Sequence, residues 1–131
     1  MIAVDTNILV RLVVNDDDAQ GGKARALFDA AAERRERVWI ADTVLVELAW
    51  TLARAYERGR EDIAKVMRAL AGNATVALES PAALEAAMRD YEGGPADFAD
   101  CLLCAKAAIV GCDGIATFDR GMRTLPGVRV L

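Results

Sequence analysis

Short apolar segments rich in β-branched residues alternate along this chain with longer segments whose apolar residues recur at helical spacing. The predicted strands are Ile2–Val4, Val38–Ile40, Ala74–Leu78, Gly114–Phe118 and Val128–Val130. The predicted helices are Ile8–Val14, Ala19–Glu33, a helix capped by Asp42 or Thr43 that runs towards Tyr56, Glu61–Leu70, Pro81–Tyr91 and Asp97–Val110. Because strands that alternate with helices usually pair in parallel, we expect an α/β sandwich with a parallel sheet.

The length of 131 residues fits one domain, residues 1–131, with room for a real core. Hydrophobic residues make up 54% of the chain, which leaves apolar surface that another subunit could cover. No apolar run approaches the roughly 20 residues that a bilayer span requires, and no basic stretch precedes the first apolar segment. Three cysteines without an export signal indicate reduced thiols. These features predict a soluble cytoplasmic protein.

Histidine is absent from the sequence, which excludes several kinds of active site. A Ser/His/Asp triad, a histidine-zinc centre and a ribonuclease with paired histidines all require that residue. Any hydrolytic chemistry must therefore use carboxylates, a metal ion, or both. The formal charge of -4 means that a nucleic acid would be bound through a local basic patch or a bound cation rather than by overall attraction.

Several acidic residues stand where ligands bind in α/β proteins, or where carboxylates are unusual. Asp5 follows the first predicted strand and Asp119 follows the fourth, at the sheet edge where ligands bind, although a helix cap or a turn explains each residue equally well. Glu47 lies in a helix among apolar neighbours and is expected to be mostly covered. The alternative is that Glu47 lies on a solvent-facing stripe, where Arg54 is its candidate partner.

Asp97 and Asp100 are three residues apart near the start of a predicted helix, so their carboxylates share one face. Ordinary enrichment of acids in a first helical turn is the alternative explanation, and it suits Asp97 better than Asp100. Taken together with Asp5, Glu47 and Asp119, these acids would repel one another unless a hard cation joined them. Oxygen-only ligands favour Mg²⁺ or Mn²⁺.

The acidic segments, in chain order, resemble the acidic motifs of PIN domains. The segments are Val4-Asp5-Thr6-Asn7, Glu47 in its apolar helix, Asp97-Phe98-Ala99-Asp100-Cys101-Leu102-Leu103 and Ala116-Thr117-Phe118-Asp119-Arg120, and the ending Leu125-Pro126-Gly127-Val128 is similar to that of VapC proteins. Each motif is weak alone, but four in order across essentially the whole chain form a specific pattern.

The resemblance implies a PIN-like three-layer sandwich with a central, mainly parallel sheet of four to five strands. It implies hydrolysis of RNA phosphodiester bonds by a Mg²⁺- or Mn²⁺-dependent toxin of a type II VapBC toxin-antitoxin system. It also implies a homodimer neutralised by a VapB-like antitoxin. The metal-binding and catalytic acids would be Asp5, Glu47, Asp100 and Asp119, with Asp97 as a further candidate ligand and with Thr6, Asn7 and Thr117 in support.

Other interpretations of the same residues are weaker. A non-catalytic binding module on the same fold is the main alternative, since intact acids do not prove turnover. An aspartyl phosphotransferase would need a lysine near the phosphate, but none of the three lysines, Lys23, Lys65 and Lys106, follows a predicted strand. The Cys101–Cys104 spacing lies inside a helix, which favours packing over redox or zinc chemistry. Arg11, Arg120 and Arg123 are candidates for contacts with RNA phosphates.

Overall fold

Three parallel strands and four helices make up the first part of the chain in the computed structural model, which describes residues 1–131. The chain divides into two compact units, Met1–Glu79 and Ser80–Leu131. The first contains β1 (Ile2–Ala3), α1 (Thr6–Val13), α2 (Asp18–Glu33), β2 (Val38–Ile40), α3 (Asp42–Arg54), α4 (Arg60–Ala71) and β3 (Val76–Leu78). The second contains α5 (Pro81–Gly93), α6 (Phe98–Ile109), β4 (Ile115–Thr117), a 3-10 turn (Arg120–Met122) and β5 (Val128–Val130).

The first unit is built on a sheet in which β2 lies between β1 and β3 and pairs in parallel with both. Val38 is opposite Ile2 on one side and Val76 on the other. Helix α1 packs against α2 and α3, and α3 packs against α4. The core is apolar, and its fully buried side chains include Leu9, Val38, Ile40, Leu45, Leu48, Leu52 and Met67. Each such side chain contributes roughly 1.5–3 kcal/mol by leaving water.

The second unit joins a helical pair to a two-stranded parallel ladder. Helices α5 and α6 pack along each other, and Tyr91 meets Phe98 edge to face with ring centroids 5.9 Å apart. Strand β4 pairs with β5, with Ile115 opposite Val128. A Cβ atom at Gly114 would stand only 2.5 Å from the carbonyl oxygen of Gly127, so this ladder requires glycine where the two strands begin.

The α/β class and the alternation of elements are confirmed, but the strand count of the sheet is lower than predicted. All five strands form, yet their hydrogen bonds group them into a three-stranded and a two-stranded sheet rather than one sheet of four or five. The strands are only two or three residues long, so each ladder contains few hydrogen bonds. Strand β3 also starts later than predicted, because the Asn73 side chain accepts from the Thr75 N–H and makes a turn there.

The sequence predicted well where the helices begin, but the side-chain caps expected for α3 and α5 do not form. Ser80 and Pro81 stand at the start of α5 as expected, although the Ser80 side chain makes no capping hydrogen bond. The expected cap of α3 by Asp42 or Thr43 is wrong, because the helix begins at Asp42 itself. The Asp42 N–H donates instead to Glu79 Oε1 at 3.1 Å, which supplies the acceptor from the end of β3. None of the helices combines the length and apolarity needed to cross a bilayer.

Candidate functional site

Asp5 lies just beyond β1 and is the N-cap of α1. Its Oδ1 accepts from the Ile8 N–H at 3.3 Å, so the capping interpretation of this residue is correct. The side chain is exposed, and only one of its two oxygens is used in the cap. Because a carboxylate has two oxygens, capping leaves Asp5 able to bind a cation through the other.

Thr6, the next residue, carries a buried hydroxyl that has no hydrogen-bond partner. The residue is only 5% exposed, and a buried hydroxyl without a partner costs about 1–3 kcal/mol. Asn7 beside it is exposed. An unsatisfied polar atom next to a carboxylate, at the start of a helix, is the kind of environment in which a bound group completes the hydrogen bonding.

Glu47 is exposed on α3, so the expectation that its neighbours mostly cover it is wrong. Helix α3 buries Leu45, Leu48 and Leu52, and Glu47 points roughly 130° around the helix from the middle of that face. The solvent-facing alternative is therefore correct, although Glu47 makes no ion pair with Arg54. Helix α3 packs against α1, the helix that Asp5 caps.

Asp97, Asp100 and Asp119 influence one another within the second unit. Asp97 is the exposed N-cap residue of α6, and Asp100 is half-buried in the first turn of that helix. Burial raises the pKa of the Asp100 carboxyl above its usual range, and the negative charges of Asp97 and then Asp119 raise it further. The structure thus places Asp100 in a negative environment without a basic partner.

Asp119 is held by two short hydrogen bonds after β4. Its Oδ1 accepts from the Gly121 N–H at 2.7 Å and caps the 3-10 turn. Its own N–H donates to Thr117 Oγ1 at 2.9 Å. Thr117 therefore helps to fix the backbone of Asp119, and its supporting role at the site stays a prediction.

The oxygen atoms of the candidate site residues are suitable ligands for a hard divalent cation, but they do not form a preformed metal cluster. All the candidate groups are carboxylate or hydroxyl oxygens, which are the ligands of Mg²⁺ and Mn²⁺. Nowhere do three or more acidic or cysteine side chains converge closely enough to form a preformed metal cage. Asp5 and Asp119 each turn one carboxylate oxygen towards a backbone N–H, and the second oxygen of each carboxylate can still bind a cation.

Comparison with known proteins identifies the family. A sequence model described as the PIN domain matches residues 2–128. This chain belongs to the PIN-domain family. It is also similar to a VapC ribonuclease of Aquifex aeolicus (strain VF5), with 23% identity over 125 residues that cover 95% of this chain and 92% of that protein. The resemblance that the four acidic motifs indicated is confirmed.

Two further acids of this PIN domain follow strands and were not among the predicted site residues. Asp42 comes just after β2 and is 5% exposed, and Glu79 directly follows β3. The carboxyl ends of parallel strands meet at one edge, so these residues lie at the same edge of the sheet as Asp5. The rule that singled out Asp5 and Asp119 applies equally to them. The hydrogen bond between Asp42 and Glu79 links the ends of two strands.

The arginines of the PIN domain differ in their availability. Arg11 is ion-paired with Asp16 at 2.7 Å and donates to Gln20 Oε1 at 2.7 Å. The Tyr56 hydroxyl also donates to Asp16. Arg11 is thus a structural link between α1 and α2 rather than a free phosphate contact. Arg120 and Arg123 are exposed and form no ion pair, so both can contact a polyanion.

The paired cysteines of the PIN domain lie within α6 as part of its packing. Cys101 and Cys104 are buried, Cys112 is exposed, and none is in a disulfide. Burial raises the pKa of the Cys104 thiol, and the negative charges of Asp100 and Asp90 raise it further. A protonated, buried thiol is a poor nucleophile and a poor metal ligand, which agrees with the packing role expected for this pair.

Proposed function

We propose that this PIN domain is a divalent-metal-dependent endoribonuclease that acts as the toxin of a VapBC-type toxin-antitoxin pair. The observation that carries the proposal is Asp100, half-buried with a raised pKa beside Asp97 and Asp119 and with no basic side chain paired to it. Carboxyl groups with perturbed pKa values cluster at functional sites, where like charges are held close together. The similarity to a VapC ribonuclease supports the substrate class.

The acids assigned to metal binding are Asp5, Glu47, Asp100 and Asp119, with Asp97 as a further ligand candidate. A bound Mg²⁺ or Mn²⁺ supplies positive charge at the phosphate and lowers the pKa of water. Thr117 orients Asp119 through its backbone. Arg120 and Arg123 bind phosphates of the RNA and position it for hydrolysis. No histidine is needed at any step.

Competing functions make different demands on the chain. An aspartyl phosphotransferase needs a lysine beside the phosphate, but Lys23, Lys65 and Lys106 lie within α2, α4 and α6 and none follows a strand.

We propose that residues 1–131 act as one domain, which the family match over residues 2–128 supports. A VapB-like antitoxin, a homodimer and a cytoplasmic location belong to the same proposal. Sedimentation of the purified chain, alone and with its antitoxin, tests the assembly.

The decisive test is cleavage of unstructured and structured RNA by the purified chain, with Mg²⁺ or Mn²⁺ and with EDTA. We expect cleavage that EDTA abolishes and added metal restores. Asp29→Asn, which removes an exposed acid on α2 that is not among the proposed ligands, is the matched control and should cut like the parent. RNA binding without cleavage under every metal condition would instead establish a non-catalytic module.

Cys101→Ala combined with Cys104→Ala should leave cleavage within a few-fold of the parent, because the site is built from oxygen ligands and the thiols only pack. A lower melting temperature of a few degrees is expected, since two buried side chains become smaller. Cys112→Ala, at an exposed position, should change neither property. Stoichiometric zinc in the parent, or loss of activity in the folded double variant, would contradict the oxygen-ligand site.

A further inference from the structure

Two polar residues, Thr6 and Asp42, are enclosed in the otherwise apolar core of the first unit. Each is only 5% exposed, and no other polar or charged residue of the chain is buried to this degree. Removing a hydroxyl or a carboxylate from water costs free energy unless the group finds hydrogen bonds inside the protein. The presence of both groups in one core therefore needs an explanation.

Thr6 and Asp42 stand at equivalent positions on neighbouring strand-to-helix connections. Helix α1 begins at Thr6 after β1, and helix α3 begins at Asp42 after β2. Ile2 is opposite Val38 in the parallel pair of β1 and β2, and the same offset along the chain places Thr6 opposite Asp42. Neighbouring strands lie about 4.8 Å apart, so the two connections run side by side at the carboxyl edge of the sheet.

The buried faces of α1 and α3 start from these two residues. On α1, Thr6 lies one turn before the buried Leu9 and Val10. On α3, Asp42 lies one turn before the buried Leu45. The two helices pack against each other, so Thr6 and Asp42 lie at the same end of one helix–helix contact. The hydroxyl and the carboxylate are therefore neighbours in the core.

The chemistry of the two side chains is complementary. Thr6 Oγ1 is enclosed and makes no hydrogen bond in this structure, so its donor must be satisfied from inside the core. A carboxylate accepts several hydrogen bonds, and Asp42 lies where the start of α3 already favours negative charge. The Asp42 N–H donates to Glu79 Oε1, which holds the start of α3 against the end of β3. The Asp42 carboxylate is thus the nearest anionic acceptor in register with the Thr6 hydroxyl.

We propose that Asp42 is a positioning residue of the nuclease site, whose carboxylate accepts a hydrogen bond from the Thr6 hydroxyl in the metal-loaded protein and so fixes Asp5. This inference rests on the proposed metal-dependent function and deepens it. Asp5 directly precedes Thr6 and caps α1 through Oδ1. Anchoring Thr6 therefore fixes the backbone from which the second oxygen of Asp5 reaches a cation. Groups that hold a metal ligand in place typically change metal affinity by roughly ten- to a hundredfold when they are removed.

Affinity of the purified chain for Mn²⁺, measured by electron paramagnetic resonance without RNA, tests the positioning apart from catalysis. Thr6→Val removes the hydroxyl at almost unchanged volume, and Asp42→Ala removes its acceptor. Each should raise the Kd for Mn²⁺ by roughly tenfold or more. Thr6→Ser keeps a hydroxyl and Asp42→Asn keeps an oxygen acceptor, so both should bind within a few-fold of the parent. Asp62→Ala removes an exposed acid from the first turn of α4 and is the matched control.

Two further readouts separate positioning from a structural role. Without metal, Thr6→Val should melt no lower than the parent, because it removes a buried hydroxyl that has no partner. The double variant Thr6→Val with Asp42→Ala should lose no more Mn²⁺ affinity than the weaker-binding single variant, since both changes remove one hydrogen bond. If Asp42→Ala does not fold, the comparison of Thr6→Val with Thr6→Ser decides the question by itself.

The outcomes distinguish this inference from the proposed function. If Thr6→Val keeps the parent's Kd for Mn²⁺, or if the two losses add fully in the double variant, positioning is wrong, and EDTA-sensitive cleavage by the parent still establishes the ribonuclease. Variants that only melt at a lower temperature also overturn positioning. If the coupled loss of Mn²⁺ affinity is found but the parent cuts no RNA, positioning is supported and the ribonuclease assignment fails.

Discussion

Asp5→Asn is expected to lower the rate of RNA cleavage by roughly a thousandfold or more, because charge stabilisation by a bound metal is worth several kcal/mol and each 1.36 kcal/mol is a factor of ten. The amide has the shape of the carboxylate, and its oxygen can still accept from the Ile8 N–H, so the cap of α1 is retained. The variant should therefore melt close to the parent. Initial rates at saturating Mg²⁺ or Mn²⁺ and a thermal melt of the same preparation measure both expectations.

Asp5→Ala separates the two roles of this side chain. It removes both the ligand and the cap, and loss of an N-cap costs about 0.5–2 kcal/mol, so it should be inactive and also less stable. Asp29→Asn serves again as the control for removal of a negative charge. An Asp5→Asn protein that cut RNA within a few-fold of the parent at saturating metal would rule out Asp5 as a ligand.

Metal ions should stabilise the parent near neutral pH, and the effect should depend on the acids around Asp100. A cation that binds only the folded state adds RT ln(1 + [L]/Kd), about 2.7 kcal/mol at a hundredfold excess over Kd. This corresponds to several degrees in melting temperature for a chain of this size. Thermal melts with millimolar Mn²⁺ or Mg²⁺ and with EDTA measure the shift.

The raised pKa of Asp100, caused first by burial and then by Asp97 and Asp119, fixes the pH dependence without metal. The folded state holds this proton more tightly than the unfolded chain, whose pKa is near the ordinary 3.8. The stabilisation is therefore complete below that value and is lost as the pH rises through the folded pKa. The metal-free parent should accordingly melt at a lower temperature at neutral pH than just below the folded pKa of Asp100.

Amide substitutions around Asp100 should rank in the order of these causes. Without metal at neutral pH, Asp100→Asn should raise the melting temperature most, because it removes the buried charge itself. Asp97→Asn and Asp119→Asn should raise it less, and Asn at 119 can still accept from the Gly121 N–H. All three should gain less than the parent from added metal. Asp113→Asn, at an exposed acid outside this group, should behave like the parent in both respects.

Two results would contradict this interpretation of the acids. Amide variants that melt below the parent without metal would show that the carboxylates stabilise the fold rather than strain it. A parent whose melting curve is unchanged by millimolar Mn²⁺ at neutral pH, and which shows no EDTA-sensitive RNA cleavage, would remove the metal site altogether.

Much of the local structure followed from the sequence because local chemistry determines it. Pro81 after Ser80 favours the start of a helix, and the alternation of short β-prone segments with helical ones was enough for the α/β class. The cap of α3 was missed because its acceptor, Glu79, is 37 residues away in the chain. The grouping of five strands into two sheets was missed for the same reason, since pairing depends on contacts between distant segments.

The error at Glu47 was of a different kind and could have been avoided. Its sequence neighbours are apolar, but neighbours along a helix point in different directions, and the three-to-four spacing of Leu45, Leu48 and Leu52 already puts Glu47 on the opposite face. The pKa of Asp100 is raised first by burial, then by Asp97 and then by Asp119, which lies 19 positions away. The sequence predicted that Asp97 and Asp100 share a helix face and that the acids repel one another, whereas the burial of Asp100 within the second unit required the fold.

Asp5 and Asp119 are proposed metal ligands, and each also accepts a hydrogen bond from a backbone N–H through one carboxylate oxygen. This double role has an evolutionary consequence. An aspartate codon becomes an asparagine codon by a single base change, and asparagine can keep the same cap. Under the proposed toxin function, a gene under pressure to lose a harmful activity can therefore silence it in one step while the encoded protein still folds and still presents its surface to an antitoxin. The reverse base change restores the enzyme, so the silenced allele is a reversible state rather than a dead end.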